Sequence, residues 1–392
     1  MTLQESLVRI GSVARRELRR LTTQPIYLFC MVGAPLICFI FFLSLMGKGL
    51  PTDLPLAVVD EDNSATSRSL IRQLDAFEQS RVALLTASFE EARQAMQRGE
   101  VYGIIRVPAR FSVEATTGKQ PTLSFYTNGS YLIAASLLYR DLRTISVLAG
   151  GAVGLQTGLA KGYTEAQIMG QLQPIVIDTH PLGNPWLNYS VYLNNTILPG
   201  VLQLMVFLVT IFSLGTEIKF GTAKEWLAEG GQSMTVSLLG KLLPQTVIFT
   251  LVGFLLLALL YGFHSFPLLC GWGPMLAAIF LLVVASQSVG VLMFGAMPTL
   301  RLGLSAACLF GMISFSIVGF SFPVHAMHPT LQALARLFPL RHYFLIYVDQ
   351  ALNGRALIYT WSEYAWLLGF LVLPFLIGKN LKAALMDFEY IP

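Results

Sequence analysis

The sequence predicts an α-helical polytopic membrane protein with six transmembrane helices and an inserted α/β extracytoplasmic domain. Three observations carry this. First, apolar stretches at Phe29–Met46, Ile197–Gly215, Leu242–Gly262, Pro274–Met297, Gly303–Phe322 and Tyr364–Ile377 reach or approach the roughly 20 residues that cross a ~30 Å hydrocarbon core. Second, the first two are separated by a long water-compatible insert, residues 47–194. Third, 54% of the chain is hydrophobic and only 12% charged, with a mean hydropathy of +0.62. An ordinary soluble globule is excluded.

The first segment, residues 1–24, reads as a cytoplasmic amphipathic elbow helix. Leu3, Leu7, Ile10, Ala14, Leu18 and Leu21 fall within a stripe about 80° wide. Arg9, Arg15, Arg16, Arg19 and Arg20 project from the opposite side, as expected of an interfacial helix whose arginines reach headgroup phosphates. It serves either as a generic positive-inside anchor or as a border of a docking surface for a cytoplasmic partner. Residues 25–46 form the first span. Its apolar run is too long for a signal-peptide core and no small-residue cleavage site follows, so an uncleaved anchor is expected.

Orientation follows from the basic residues. With the N-terminus inside, 11 of the 26 lie in predicted inside segments, 3 in the two short outside connections, and 12 in the insert beside 13 acidic residues. Long domains are discounted by the positive-inside rule. Both termini are therefore expected to be cytoplasmic. A cysteine at Gly118 should then be labelled from outside, and one at Gly231 spared.

Within the insert, apolar runs at Leu56–Val59, Val82–Leu85, Val101–Val107 and Thr122–Tyr126 alternate with helical patterns. One of these, Ser64–Phe77, precedes a capping box at Ser88 and Glu91. The alternation predicts a small α/β domain. Residues 130–173 read as a long helix interrupted by Gly150, Gly151, Gly154 and Gly158. Asp60, Glu61 and Asp62 lack the ligand spacing of a calcium loop and suit a solvated turn capping the next helix through Ser64. His180 and Asp178 have no nucleophile motif beside them. The four cysteines have neither metal-ligand nor disulfide-framework spacing. No catalytic, cofactor-binding or metal site is expected on this chain.

Residues 195–392 are expected to form a five-helix transmembrane region. Its longest polar loop, 217–241, carries Thr222 as a cap with Glu225 at N3, starting a short helix that presents Trp226 and Leu227. That pair suits either a groove on another subunit or a membrane interface. The spans hold neutral polar residues such as Gln203, Thr210, Ser286, Gln287, Ser288 and Ser305 rather than rows of acids and bases. There is also no inverted repeat of broken helices, which argues against an ion-coupled carrier. Residues 323–353 are broken by Pro323, Pro329 and Pro339, while Leu331, Leu334, Ala335 and Phe338 form a stripe. His325, His328, Arg336, Arg341 and His342 lie around it. This is either an interfacial belt or an outer re-entrant element, since irregular backbone at depth must be buried in protein.

Two groups of residues carry a family resemblance. Glu217…Gly221-Thr222…Glu225…Leu227 followed by Gly240-Lys241-Leu242-Leu243-Pro244 resembles the cytoplasmic loop of the ABC-2 type transporter permeases. Phe322-Pro323…Met327…Pro329…Leu331…Leu334…Pro339-Leu340…Tyr343…Gly354 is similar to the stretch after that family's fifth span. Lys219 and His328 depart from the usual pattern. The large domain after the first span resembles the bacterial exporter-permease branch. The resemblance implies the membrane subunit of an ABC exporter in a bacterial inner membrane, moving a hydrophobic or amphiphilic substrate outward. It implies a second permease (homo- or heterodimer), a cytoplasmic ABC ATPase and, as an optional further partner, a periplasmic adaptor; the lipid bilayer is its medium and no nucleic acid is expected. Lys241 lacks the P-loop's second glycine and its Ser/Thr, so ATP and magnesium belong to the ATPase chain. By the same resemblance, Glu217, Gly221, Thr222, Glu225, Trp226 and Leu227 are the ATPase-coupling residues. Phe322, Pro323, Met327, Pro329, Leu334, Phe338 and Pro339 form the outer gate. The rival reading is a membrane sensor or mechanotransmission component with an extracytoplasmic ligand-binding domain.

Overall fold

A computed structural model describes residues 2–117, 119–173 and 180–387; Gly118 and Asp178 lie outside the described residues. The chain divides into two compact units, residues 50–180 and the remainder.

The helical unit begins with α1 (Leu3–Thr23), started by a reciprocal box in which Thr2 Oγ1 accepts from Glu5 N and Glu5 Oε2 accepts from Thr2 N. It stops before Pro25, which disfavours helical geometry at Gln24 and then serves as the first residue of the next helix. The first candidate span, Pro25–Leu45, joins α2 (Pro25–Leu28) to α3 (Ala34–Leu45) through a wider π turn at Phe29–Gly33. Pro35 cannot donate to the ladder, and the widened turn lies where the helix must absorb it.

The smaller unit alternates β1 (Leu54–Asp60), α4 (Ala65–Asp75), β2 (Ser80–Thr86), α5 (Phe89–Gln97), β3 (Gly103–Val107), α6 (Phe111–Thr116) and β4 (Ser124–Thr127). It is completed by α7 (Leu132–Ala160) and α8 (Glu165–Leu172). The sheet order is β2-β1-β3-β4, with β4 antiparallel to β3 and the other pairs parallel. β1 is apolar along its length because both faces are covered: Leu56 and Val58 pack with α4 and α7, Ala57 and Val59 with α5. The glycines of α7 do not interrupt it. A Cβ at Gly154 or Gly158 would come within 2.6 Å of Leu172 or Ile168, so they are the seat on which α8 packs. The acidic turn after β1 spends its carboxylates locally. Asp60 accepts from Asp62 N, Asn63 N and Ser67 Oγ, Glu61 pairs with Arg106 at 2.7 Å, and Ser64 caps α4.

The chain continues in the helical unit with α9 (Tyr189–Lys219), α10 (Ala223–Glu229) and α11 (Met234–Leu257, extended by a π turn to Phe263). Next come α12 (Trp272–Ala296) and α13 (Leu300–Ile317). α14 (Pro329–Ala335) and α15 (Pro339–Ile346) are short, and α16 (Leu357–Gly369) leads through a 3-10 turn into α17 (Leu373–Asp387). Among the described residues, six segments are long and apolar enough to cross a membrane. Several outrun their apolar windows because buried polar residues extend them. Asn188 caps α9 well before Ile197, and Asn195 accepts from Tyr261 Oη at 2.9 Å.

Close helix approach in the bundle depends on small residues. A Cβ at Gly200 would meet Phe315 at 2.3 Å and Leu340 at 2.9 Å, where α13 and α15 press on α9. Most of the neutral polar residues expected in the spans tie helices together or bond back to their own backbone, whereas the Thr210 hydroxyl is buried without a partner among the described residues. Gln203 donates to Ser314 at 3.1 Å, Gln287 accepts from Thr246 at 2.7 Å, and Ser286 and Ser288 donate to carbonyls one turn earlier.

Candidate functional site: a buried charge cluster beneath a short loop helix

The stripe on α1 does not point into the protein. Val13, Glu17 and Leu21 are buried, whereas Leu3, Leu7 and Leu18 are exposed, so at 100° per residue the packed face is turned about 60° from the apolar stripe and shares only Leu21 with it. The reason is α11. At Gly240 a Cβ would stand 2.6 Å from Val13 and 2.9 Å from the Ile10 carbonyl, so the glycine lets α1 lie directly on α11.

That seat brings Glu17 into a closed cluster. Lys241 is fully buried, and its Nζ donates to Glu17 Oε2 and to Glu217 Oε1, both at 2.7 Å. Gln245 Nε2 donates to the second Glu17 oxygen at 3.2 Å. Glu217 is bracketed from its other side by a parallel fork from Arg16, at 3.0 Å for each nitrogen, and by Arg20 Nη1 at 2.7 Å. Such bidentate charged pairs are the strongest hydrogen bonds proteins make. Burial works against charge on Arg16, but the hydrogen bond and charge of Glu217 outweigh it and its pKa is raised. Arg16 and Arg20 thus turn inward to Glu217, while Arg15 and Arg19 stay exposed. Arg16 and Arg20 therefore depart from the expectation that all five arginines face headgroups, because Glu217 of α9 holds them.

Thr222 also belongs to the cluster. Its hydroxyl donates to Glu217 Oε2, and it makes no side-chain cap on α10. The expected capping box with Glu225 is not formed: Thr222 has φ −92° and ψ 4° rather than the extended geometry of a capping residue, and its side chain is turned to Glu217. Gly221 takes φ +66°, turning the chain from α9 into α10.

Trp226 and Leu227 are both at 0% exposure, in one cluster with Val13, Leu214, Ile218, Leu238 and Leu381. The Lys241 ammonium lies 5.0 Å from the Trp226 ring centroid, a cation–π distance. An exposed Trp–Leu plug is not what the fold builds. The exposed face of α10 carries Lys224, Glu225 and Ala228. Beside it, at the end of α9, Phe220 is 62% exposed. Sequence reasoning overlooked Phe220, Glu17 and the partnership of Lys241. A lone acid at the edge of an apolar helix stripe, and a lysine inside an apolar run, are the signals that point to the last two.

The residues expected at the gate are split by the fold. Phe338 and Pro339 are buried, and Phe338 stacks on Phe310 with centroids 4.3 Å apart beside Ile317, Val324 and Ala335. Phe322, Pro323, Pro329 and Leu334 are exposed, and Met327 is half-buried with its carbonyl accepting from Gln332 at 2.9 Å. Among the basic residues, His342 is buried, stacked on Trp366 and bonded to Glu363 at 2.7 Å and to the Arg336 carbonyl at 2.9 Å.

The described residues hold no group of three or more His, Cys, Asp or Glu placed to bind a metal, and the cysteines are free thiols. A buried, fully paired charge cluster has no free acid or base for bond chemistry; it fastens three helices together.

Comparison with known proteins agrees with a membrane transport component. A family model described as ABC-2 family transporter protein matches residues 25–378. Two curated relatives are each 23% identical over 363 residues, covering 91% of this chain and 93% of their own length. Both are called probable multidrug ABC transporter permease YbhR, from Escherichia coli strain K12 and Escherichia coli O157:H7. With the match running from the first span almost to the end of the last, the chain belongs to the ABC-2 family of transporters.

Proposed function

We propose that this chain is the permease subunit of an ATP-binding cassette exporter. It would move a hydrophobic or amphiphilic substrate outward across a bacterial inner membrane, as one of two permeases driven by a separate ATPase. Family membership supports the permease role, and the relatives named as multidrug permeases support cargo of this kind. Among the described residues five candidate spans follow the inserted unit, which favours a permease over a mechanotransmission component with three.

The observation that carries the coupling assignment is the clamping of α10. Its inner face is held by Trp226 and Leu227, and its approach by the Thr222–Glu217 bond, while its outer face is free. A push on that face reaches α1, α9 and α11 together through Glu217, Lys241 and Glu17. The contact surface for the ATPase is then Phe220, Lys224, Glu225 and Ala228 rather than Trp226. Phe220→Ser with Ala228→Asp should reduce co-purification of a co-expressed ATPase about tenfold or more, equivalent to roughly 1.4 kcal/mol, while leaving the thermal midpoint of the isolated permease unchanged. Full retention of the complex and of coupled ATP hydrolysis would remove α10 from the interface.

In the proposed orientation both termini are cytoplasmic and the α/β unit is outside. Gly231 is a poor labelling position, since it has φ +69° and a Cβ there would meet Arg9 at 2.7 Å. Ala87 and Ala228 are exposed and unstrained. In a cysteine-free background, a membrane-impermeant maleimide should modify Ala87→Cys in intact cells and reach Ala228→Cys only after lysis. The reverse pattern rejects the orientation.

A further inference from the structure

A cleft of about 660 Å³ runs between α11, α12 and α17. Its walls are apolar, built by Leu239, Leu243, Val247, Phe280, Val284 and Phe375, most of them exposed at the bundle surface. From Met234 to Val247 the wall formed by α11 is about 20 Å long at 1.5 Å per residue, close to an extended fatty-acyl chain. Thr246, Gln287 and Ser288 add neutral polar groups to the wall, but among the lining residues charge appears at one end only. There Lys379 and Lys382 project from one face of α17, and Lys382 Nζ donates to the Gln232 carbonyl at 2.6 Å, which places it beside the start of α11. Ser233 caps that start without a side-chain bond, so the first-turn N–H groups of a 24-residue helix meet no side-chain acceptor from their cap. Among the described residues no carboxylate lines the cleft, and Lys379 makes no ion pair. A cation in a transmembrane segment calls for an anionic partner, and a basic pocket between membrane helices suits a lipid headgroup.

We infer that this cleft binds an anionic phospholipid of the bilayer. The phosphate lies against Lys379, Lys382 and the first turn of α11, and one acyl chain lies along the apolar wall. Gly378 is part of the fit: a Cβ there would meet nothing within 4 Å, so the glycine leaves the groove open rather than permitting close helix packing. The site makes no use of the cargo or of the ATPase, and it stands or falls separately from the transport reading.

The test uses the full chain in neutral detergent with phosphatidylglycerol carrying a photoactivatable acyl chain, and phosphatidylcholine with the same chain as the control. Cross-linked peptides are mapped by mass spectrometry. Phosphatidylglycerol should label residues 234–247 and 371–382 at least tenfold more than phosphatidylcholine. Lys379→Gln, which breaks no hydrogen bond among the described residues, should reduce that preference about fivefold, the contribution of one lysine near an anionic surface. Lys379→Gln with Lys382→Gln should abolish the preference. Gly378→Leu, whose Cβ would meet nothing within 4 Å and whose side chain would occupy the groove, should suppress labelling by both lipids. Equal labelling by the two lipids in the wild-type chain, a preference that survives the double lysine change, or labelling undiminished by Gly378→Leu would each overturn the assignment.

Discussion

Replacing Lys241 by methionine is expected to destabilise the folded chain by about 3–5 kcal/mol, the range for breaking a buried ion pair from one side. The loss falls unequally on its two partners. Glu217 retains Arg16, Arg20 and Thr222. Glu17 is left with Gln245 as its side-chain hydrogen-bond partner among the described residues, and with the more distant charge of Arg16, at a site that is 1% exposed. Most of the penalty is therefore an uncompensated carboxylate on α1. Adding Glu17→Gln to Lys241→Met removes that charge and should recover roughly half of the loss. Glu217→Gln in the same background should recover little. Thermal unfolding of the four proteins in one detergent gives the coupling directly. A Lys241→Met protein as stable as the parent, or equal rescue from either glutamate, would show that the cluster does not join the helices as described.

The second large effect is expected at Phe338. In the proposed gate this ring seats the segment after α13 by stacking on Phe310 and closing over Ile317 and Val324. Phe338→Ala should cost that local packing about 3–5 kcal/mol, freeing the α14 region while α9, α10 and α11 remain intact. Efflux of a lipophilic fluorescent dye should fall tenfold or more, with ATPase co-purification changed less than twofold. Leu334→Gln, on the exposed side of α14, should change efflux less than twofold. Normal efflux from Phe338→Ala would make the element an interfacial belt with no gating role.

The helical spans were legible because crossing a bilayer demands a long apolar run, and such runs show up in any reading of the chain. Their ends were less legible. Helices continue where polar groups find partners inside the protein, as Asn195 does with Tyr261 and the Val191 carbonyl. The strand and helix alternation of the smaller unit was visible in its apolar runs, but the effect of glycine in α7 was not. Gly154 and Gly158 read as breaks, yet serve as a surface for α8. The charge cluster was least legible. It joins residues 16, 17 and 20 to residues 217 and 241, and periodicity on one helix cannot report what lies across from it. The rotation of α1 away from its apolar stripe follows from the groove at Gly240, a property of α11. Trp226 was misjudged for the same reason. A short polar-looking helix gives no sign of the α1, α9 and α17 side chains that cover its inner face.

The span of the cluster along the chain also dictates an order of events during synthesis. Arg16 lies 201 residues before Glu217, and Glu17 lies 224 before Lys241. The N-terminal helix is made first and must wait, its acid without a partner, while the first span, the whole sheet-containing unit and the second span are translated. Only when Lys241 leaves the ribosome can α1 settle onto α11 and neutralise Glu17. A nascent chain stalled short of that point carries an amphipathic, charged segment that quality-control proteases can grasp. The lysine that holds the finished protein together therefore also sets the earliest point at which α1 can settle onto α11.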